Sequence, residues 1–213
     1  KNILKIGVPS ALEQLAYSTS QVIIISFVSM LGTLAITTRV YTGNISMFVY
    51  LFSLAIAQGN QVLVGYLIGE KKTDEVSHQT FKTQRLAVSV SLGLSIICYL
   101  GSDFLFGIFT SDANILSLGH TLLLINVFLE IGRATNRVLT NALKAAGDIN
   151  YPFILGIVGM WVICIPVAYV LGIWFGLGLA GIWIAFAVDE CFRGLVFTIR
   201  WKSQKWVNKS FIS

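Results

Sequence analysis

Charge is scarce in this sequence. Only 12% of its 213 residues are Asp, Glu, Lys or Arg, about half the roughly 25% of an ordinary soluble domain. With 55% hydrophobic residues, that balance excludes water as the main solvent of the chain. Cysteine is scarce too. Cys98, Cys164 and Cys191 lie inside apolar segments. Their odd number and their spacing exclude a metal framework, so they read as small packing residues. No Ser-His-Asp or Cys-His grouping and no metal-ligand spacing is present, which argues against an enzyme. The two histidines, His78 and His120, read as incidental. Sustained period-two alternation is missing, which leaves helices rather than barrel strands. There is no cleavable signal-peptide pattern, no internal repeat and no low-complexity segment. The first residue is Lys1 rather than Met, so a fragment or a trimmed chain is expected.

What is present is a series of long apolar runs. A spanning helix needs about 20 mostly apolar residues. Such runs occupy residues 6–31, 40–68, 86–109, 115–143, 153–175 and 179–199. The expectation is an all-α, polytopic membrane protein, a bundle of six transmembrane helices in the lipid bilayer. Residues 200–213 would form a basic cytoplasmic tail. Gly32-Thr33 breaks the first run from the second. A charged loop begins at Gly69-Glu70-Lys71-Lys72 and continues as an amphipathic stretch to Arg85. Thr110-Ser111-Asp112 offers helix N-caps. Pro152 opens the fifth run, and Pro166 is expected to bend it or open it locally.

The net charge of +5 sits beside the apolar runs, so it reads as membrane orientation and not as nucleic-acid binding. Lys1, Lys5, Lys71, Lys72, Lys82, Arg85, Lys144, Arg200, Lys202, Lys205 and Lys209 all fall on one side when the spans number six. By the positive-inside rule that side is the cytoplasm, with both termini there and the bundle in the cell membrane. The loops around 103–114 and 176 have no Lys or Arg. Arg39, in the first loop, reads as an interfacial anchor.

The fourth helix carries the most chemistry. Asn126, Glu130, Arg133, Arg137 and Asn141 recur at spacings of four, three, four and four, which places them on one face. A charge near mid-span costs at least ~2.5–3.5 kcal/mol on insertion scales, so that face should turn away from lipid. The sixth helix carries Asp189, Glu190 and Arg193. If the two helices are neighbours, Glu130, Asp189 and Glu190 can neutralise Arg133, Arg137 and Arg193. Two readings stay open: a salt-bridged core that fixes packing, or a substrate or ion site whose carboxylates titrate. Glu13, one turn into the first helix, is a proton or cation ligand or is simply solvated at the interface. The glycine series Gly176-Leu177-Gly178-Leu179-Ala180-Gly181 imitates a dinucleotide fingerprint. That motif needs a preceding strand, so here a tight turn and close helix approach are expected.

Several segments resemble the multidrug and toxic compound extrusion (MATE) transporters. They are Ile6-Gly7-Val8-Pro9-Ser10-Ala11-Leu12-Glu13-Gln14, Gly65-Tyr66-Leu67-Ile68-Gly69-Glu70, Asn141-Ala142-Leu143-Lys144-Ala145-Ala146-Gly147-Asp148 and Gly178-Leu179-Ala180-Gly181-Ile182-Trp183. In order and spacing they match the carboxyl-terminal half of that family. The resemblance implies secondary active efflux of organic, often cationic or amphipathic small molecules. It also implies a proton or sodium gradient as driving force, no cofactor, and no metal except a possible sodium ion. It implies a missing amino-terminal lobe, or a second copy in its place. It points to Glu13 and Glu130 as cation-site candidates, and to Arg133 as a built-in cation that replaces a bound ion. Polar lining is expected from Asn126 and Asn141. The rivals are a flippase for lipid-linked substrates and a non-transporting remnant or interaction module.

Overall fold

The computed structural model describes residues 2–209, and the side chains of residues 11–209 apart from Glu13 and Asn208. Its long helices are α1 (Asn2–Met30), α2 (Thr33–Gly69), α3 (Thr73–Leu100) and α5 (Ala113–Ala145). A fifth rod begins as α6 (Asn150–Val158), widens into a π-helical turn (Gly159–Cys164), tightens as α7 (Ile165–Tyr169) and widens again (Val170–Trp174). It leads to α8 (Gly178–Lys202). No strand occurs among the described residues. The fourth and sixth runs of the sequence are thus α5 and α8.

Outward-facing side chains explain why this fold needs lipid. Val62, Leu100, Phe104 and Trp174 are each about three-quarters exposed, and they belong to a surface rich in exposed Leu, Ile, Val and Phe. A soluble monomer rarely tolerates so large an apolar surface. Among the described residues, four rods are long and apolar enough to cross a membrane: Thr33–Gly69, Thr73–Leu100, Ala113–Ala145 and Asn150–Trp174. At 1.5 Å per residue α2 is about 55 Å long, well beyond a ~30 Å hydrocarbon layer, so part of it lies outside that layer or it tilts.

α5 is the hub, packed on α2, α3 and α8. Its start is set by Asp112, whose side chain accepts a hydrogen bond from the Asn114 N–H at 2.8 Å. That satisfies one of the orphan donors at a helix start. The third apolar run is not one helix. α3 starts at Thr73, takes in the whole amphipathic stretch, and stops at Leu100; after Gly101 comes a short helix, α4 (Ser102–Gly107). Phe106 of α4 is fully buried and lies against Gly119 of α5, where any Cβ would meet its ring. The break turns an apolar overhang into a plug under α5.

Pro166 has no N–H and its ring crowds the preceding turn. The helix answers with wide turns on both sides: the Ile165 N–H reaches Met160 O, and the Phe175 N–H reaches Val170 O. Such π turns gather at functional sites, and the first of them faces the site described next. Beyond the second, Gly176 and Gly178 have φ of 71° and 59°, a left-handed turn suited to glycine. Gly181 then lets α8 ride on the backbone of Leu171 and Gly172. The glycine series is therefore a turn and a packing surface.

Candidate functional site: a charged core beside an intramembrane cavity

α5 and α8 approach closely because both carry glycine at the crossing. A Cβ on Gly132 would lie 2.6 Å from Cys191 N, and one on Gly194 3.2 Å from Gly132 O. This proximity unites the charges of the two helices. Arg193 Nη2 donates to Asp189 Oδ2 at 2.6 Å and Arg193 Nε to Asp189 Oδ1 at 3.0 Å. Its Nη2 also lies 3.3 Å from Glu190 Oε1. Asn136 Nδ2 donates to Glu190 Oε2 at 2.5 Å, and Thr140 Oγ1 to Asn136 Oδ1 at 3.0 Å. A bidentate guanidinium and a chain of side-chain amides hold this cluster rigid. Gly159, in the first π turn, leaves room for it: a Cβ there would sit 2.5 Å from Asp189 Oδ1.

One turn away on α5, Arg133 pairs with Glu130. Glu130 is fully buried, and its Oε2 has no hydrogen-bond partner among the described residues. Leaving a buried carboxylate oxygen unsatisfied is costly, so this one is an acceptor available to a proton or cation.

These charges stand at the wall of a cavity of about 770 Å³. α1 contributes Gln14, Tyr17, Ser20 and Gln21. α2 contributes Arg39, Gly43, Ser46, Met47 and Tyr50. α5 contributes Asn126, Arg133, Arg137 and Lys144, and α8 Trp183, Asp189, Glu190 and Arg193. The π turn adds Met160 and Cys164, with Ser20 Oγ contacting Met160 Sδ at 3.7 Å. Each set follows a helical period, so one face of each helix meets the cavity.

The expected residues are mostly brought together. Asn126, Arg133, Arg137, Asp189, Glu190 and Arg193 border the cavity, and Glu130 stands behind Arg133. Asn141, expected to line it, does not: it is half-buried and absent from the wall. Residue 141 is fifteen beyond Asn126, and over four turns an α-helical stripe drifts away from a straight wall. Lys144 takes the place nearer that end. The side chain of Glu13 lies outside the described residues.

Arg39 is not only an interfacial anchor. It borders the cavity and donates to Gln21 Oε1 at 3.2 Å. Arg137 places its guanidinium 5.2 Å over the Tyr50 ring, within cation–π range. Sequence reasoning missed Gln14, Tyr17, Gln21, Tyr50 and Asn136. For Asn136 a signal existed: Gly132, Asn136 and Thr140 form a second i, i+4, i+8 stripe, which faces α8. For α1 and α2 the polar residues are uncharged or isolated among apolar neighbours, and their stripes are faint.

The comparisons with known proteins agree with this geometry. The family model MatE matches residues 9–170. The chain is 42% identical over 209 residues to the uncharacterized transporter YisQ of Bacillus subtilis, covering 98% of this chain and 46% of YisQ. It is 25% identical over 213 residues to the probable multidrug resistance protein NorM of Thermotoga maritima, covering 100% and 46%. The chain thus spans about half the length of the curated relatives it matches. Among solved structures it resembles the MATE transporter ClbM in complex with Rb+ with a TM-score of 0.86, at 20% identity, covering 96% of this chain and 48% of ClbM. The Vibrio cholerae MATE transporter VcmN in its bent form gives the same TM-score at 16% identity, with 96% and 46% covered. Those likenesses bear on the fold; the matches in sequence assign this chain to the MatE family, the MATE transporters.

Proposed function

We propose that this chain is the carboxyl-terminal lobe of an ion-coupled antiporter that moves organic, amphipathic compounds across the cell membrane. A second lobe, whether an amino-terminal half, a second copy or a partner chain, closes the other side of the cavity. The reading rests above all on one observation. Glu130, buried behind the cavity wall and paired with the lining residue Arg133, has an oxygen with no hydrogen-bond partner among the described residues, inside a lipid-facing bundle. Intramembrane carboxylates mark ion pathways by default.

In this scheme Glu130, Asp189 and Glu190, with Glu13 on α1, are the coupling carboxylates. Loading one of them with a proton or sodium ion releases its arginine partner. That changes the relative stability of two packings of the lobes, which is how a bound ion biases alternating access. The fixed pair Glu130–Arg133 acts as an internal ion pair that the coupling ion must displace. The spread of Lys and Arg supports an orientation with both termini in the cytoplasm, and the charged clusters would then lie within the membrane.

The test is flux in proteoliposomes carrying the complete two-lobe transporter, with proton and sodium gradients imposed separately. Substrate movement should follow one gradient and fall to background in Glu130→Gln. Flux that follows neither gradient sinks the antiporter reading and leaves the remnant or interaction module in its place.

A further inference from the structure

Among the described residues the wall of the cavity is cationic: Arg39, Arg133, Arg137, Lys144 and Arg193 border it, with Asp189 and Glu190 as the described acids. Their commitments differ. Arg133 is held by Glu130, and Arg193 by Asp189 and Glu190. Arg39 and Arg137 have no carboxylate within ion-pair distance among the described residues. Among the described residues Arg39 donates to the neutral Gln21, and Arg137 lies over the face of Tyr50 with its Nε buried and lacking a hydrogen-bond acceptor, Glu190 acting on its charge from beyond ion-pair distance. A guanidinium stays charged at any working pH. In a low-dielectric wall where four arginines meet three carboxylates (Glu130, Asp189 and Glu190) among the described residues, the excess positive charge attracts anions and repels cations.

Their placement adds a dimension. Tyr50, beneath Arg137, follows Arg39 by eleven residues on α2. Eleven residues make about three turns and about 16 Å, so Arg39 of α2 and Arg137, which reaches from α5 over Tyr50, meet α2 at two heights. Between them the wall is small or apolar, with Gly43 and Met47 on α2 and Ile24, Trp183 and Phe186 opposite.

Resting on the transporter reading above, we propose that this lobe binds an anionic amphiphile, a compound carrying a carboxylate, sulfonate or phosphate on an apolar body. Its anionic group is taken by Arg137 or Arg39 while its body lies against Trp183 and Phe186. The charged group comes from a soluble organic acid or from a lipid headgroup. The cationic compounds implied by family resemblance are disfavoured at this wall. Planar guanidinium donors match such oxyanions in pairs of hydrogen bonds, and the Tyr50 ring holds Arg137 in place without neutralising it.

The experiment uses this chain in nanodiscs of zwitterionic phosphatidylcholine and two probes with the same ring system and opposite charge. Fluorescence anisotropy reports binding of 6-carboxyfluorescein and of rhodamine 6G. The anion should bind about tenfold or more tightly than the cation, a modest return for an arginine excess in a low-dielectric wall. Added salt should narrow the gap. Arg39→Gln with Arg137→Gln should abolish the preference, and Arg137→Lys should keep part of it. Gel filtration and circular dichroism confirm that each variant is folded. Competition separates the sources of the charge. Displacement by octyl phosphate from water indicates a soluble anion, displacement only by phosphatidylglycerol in the disc indicates a lipid, and either supports the proposal. Tighter binding of rhodamine 6G, equal binding, or no binding of 6-carboxyfluorescein overturns it. A preference for the anion without gradient-driven flux in the complete transporter would sink the antiporter reading alone. Flux of cations with no preference for the anion would sink this inference alone.

Discussion

Two sets of arginines face the same cavity and live under different constraints. On the α5–α8 side, Arg133 and Arg193 are locked to carboxylates between helices that touch through glycine. Toward α2, Arg39 meets a neutral amide, and Arg137, reaching over from α5, an aromatic ring. The paired arginines are needed because buried carboxylates must be compensated. Arg39 and Arg137 form no ion pair among the described residues, so their charge can act on what enters the cavity. Structure and recognition are thus divided between two walls.

The sharpest break in that comparison is the removal of Arg193. Arg193→Met leaves Asp189 and Glu190 buried and facing each other's charge, and should cost about 3–5 kcal/mol. Chemical unfolding in mild detergent measures it. In an Asp189→Asn, Glu190→Gln background the same change should cost much less, because the charges it balanced are gone. Next comes the glycine seam. Gly132→Val drives a branched side chain into the Cys191 backbone and should cost about 1–3 kcal/mol, seen as a lower melting temperature. Smaller again is the cost of Arg39→Gln or Arg137→Gln, within about 1 kcal/mol by the same assay, since neither breaks an ion pair among the described residues and each loses one contact with a neutral partner. The smallest effect belongs to the loop between α2 and α3. There the hydrogen bond from Lys72 holds Glu70 below its ordinary pKa, and the two lie 2.8 Å apart. Both are open to solvent, so Glu70→Gln should leave the melting temperature unchanged between neutral and mildly acidic pH.

The same contrast explains what could be read in advance. The all-α membrane architecture was legible because lipid allows few solutions and long apolar runs select one of them. The charged face of α5 was legible because an ion in mid-span is too costly to be accidental. Three acids against three bases could neutralise one another only if α5 and α8 were neighbours, and the structure packs those two helices together. The rest was hidden for identifiable reasons. The break at Gly101 depends on Phe106 finding the space over Gly119, a contact between elements that no local pattern encodes. Arg39 was read from its place near a loop, but the three-turn stripe that carries it into the cavity runs through Gly43 and Met47, residues with no polar signal. The double π turn around Pro166 was anticipated only as a bend or opening. Its purpose, a glycine backbone pressed on the Asp189–Arg193 pair, needed both helices in view.

The central claim is that paired arginines build the lobe and unpaired arginines meet the ligand. The most direct test is the affinity for 6-carboxyfluorescein, per folded protein, of Arg137→Gln beside Arg193→Met. The account predicts weakened binding with unchanged melting for Arg137→Gln. For the fraction of Arg193→Met that remains folded, it predicts binding that is retained. Loss of anion binding in folded Arg193→Met, with Arg137→Gln binding as before, would contradict it.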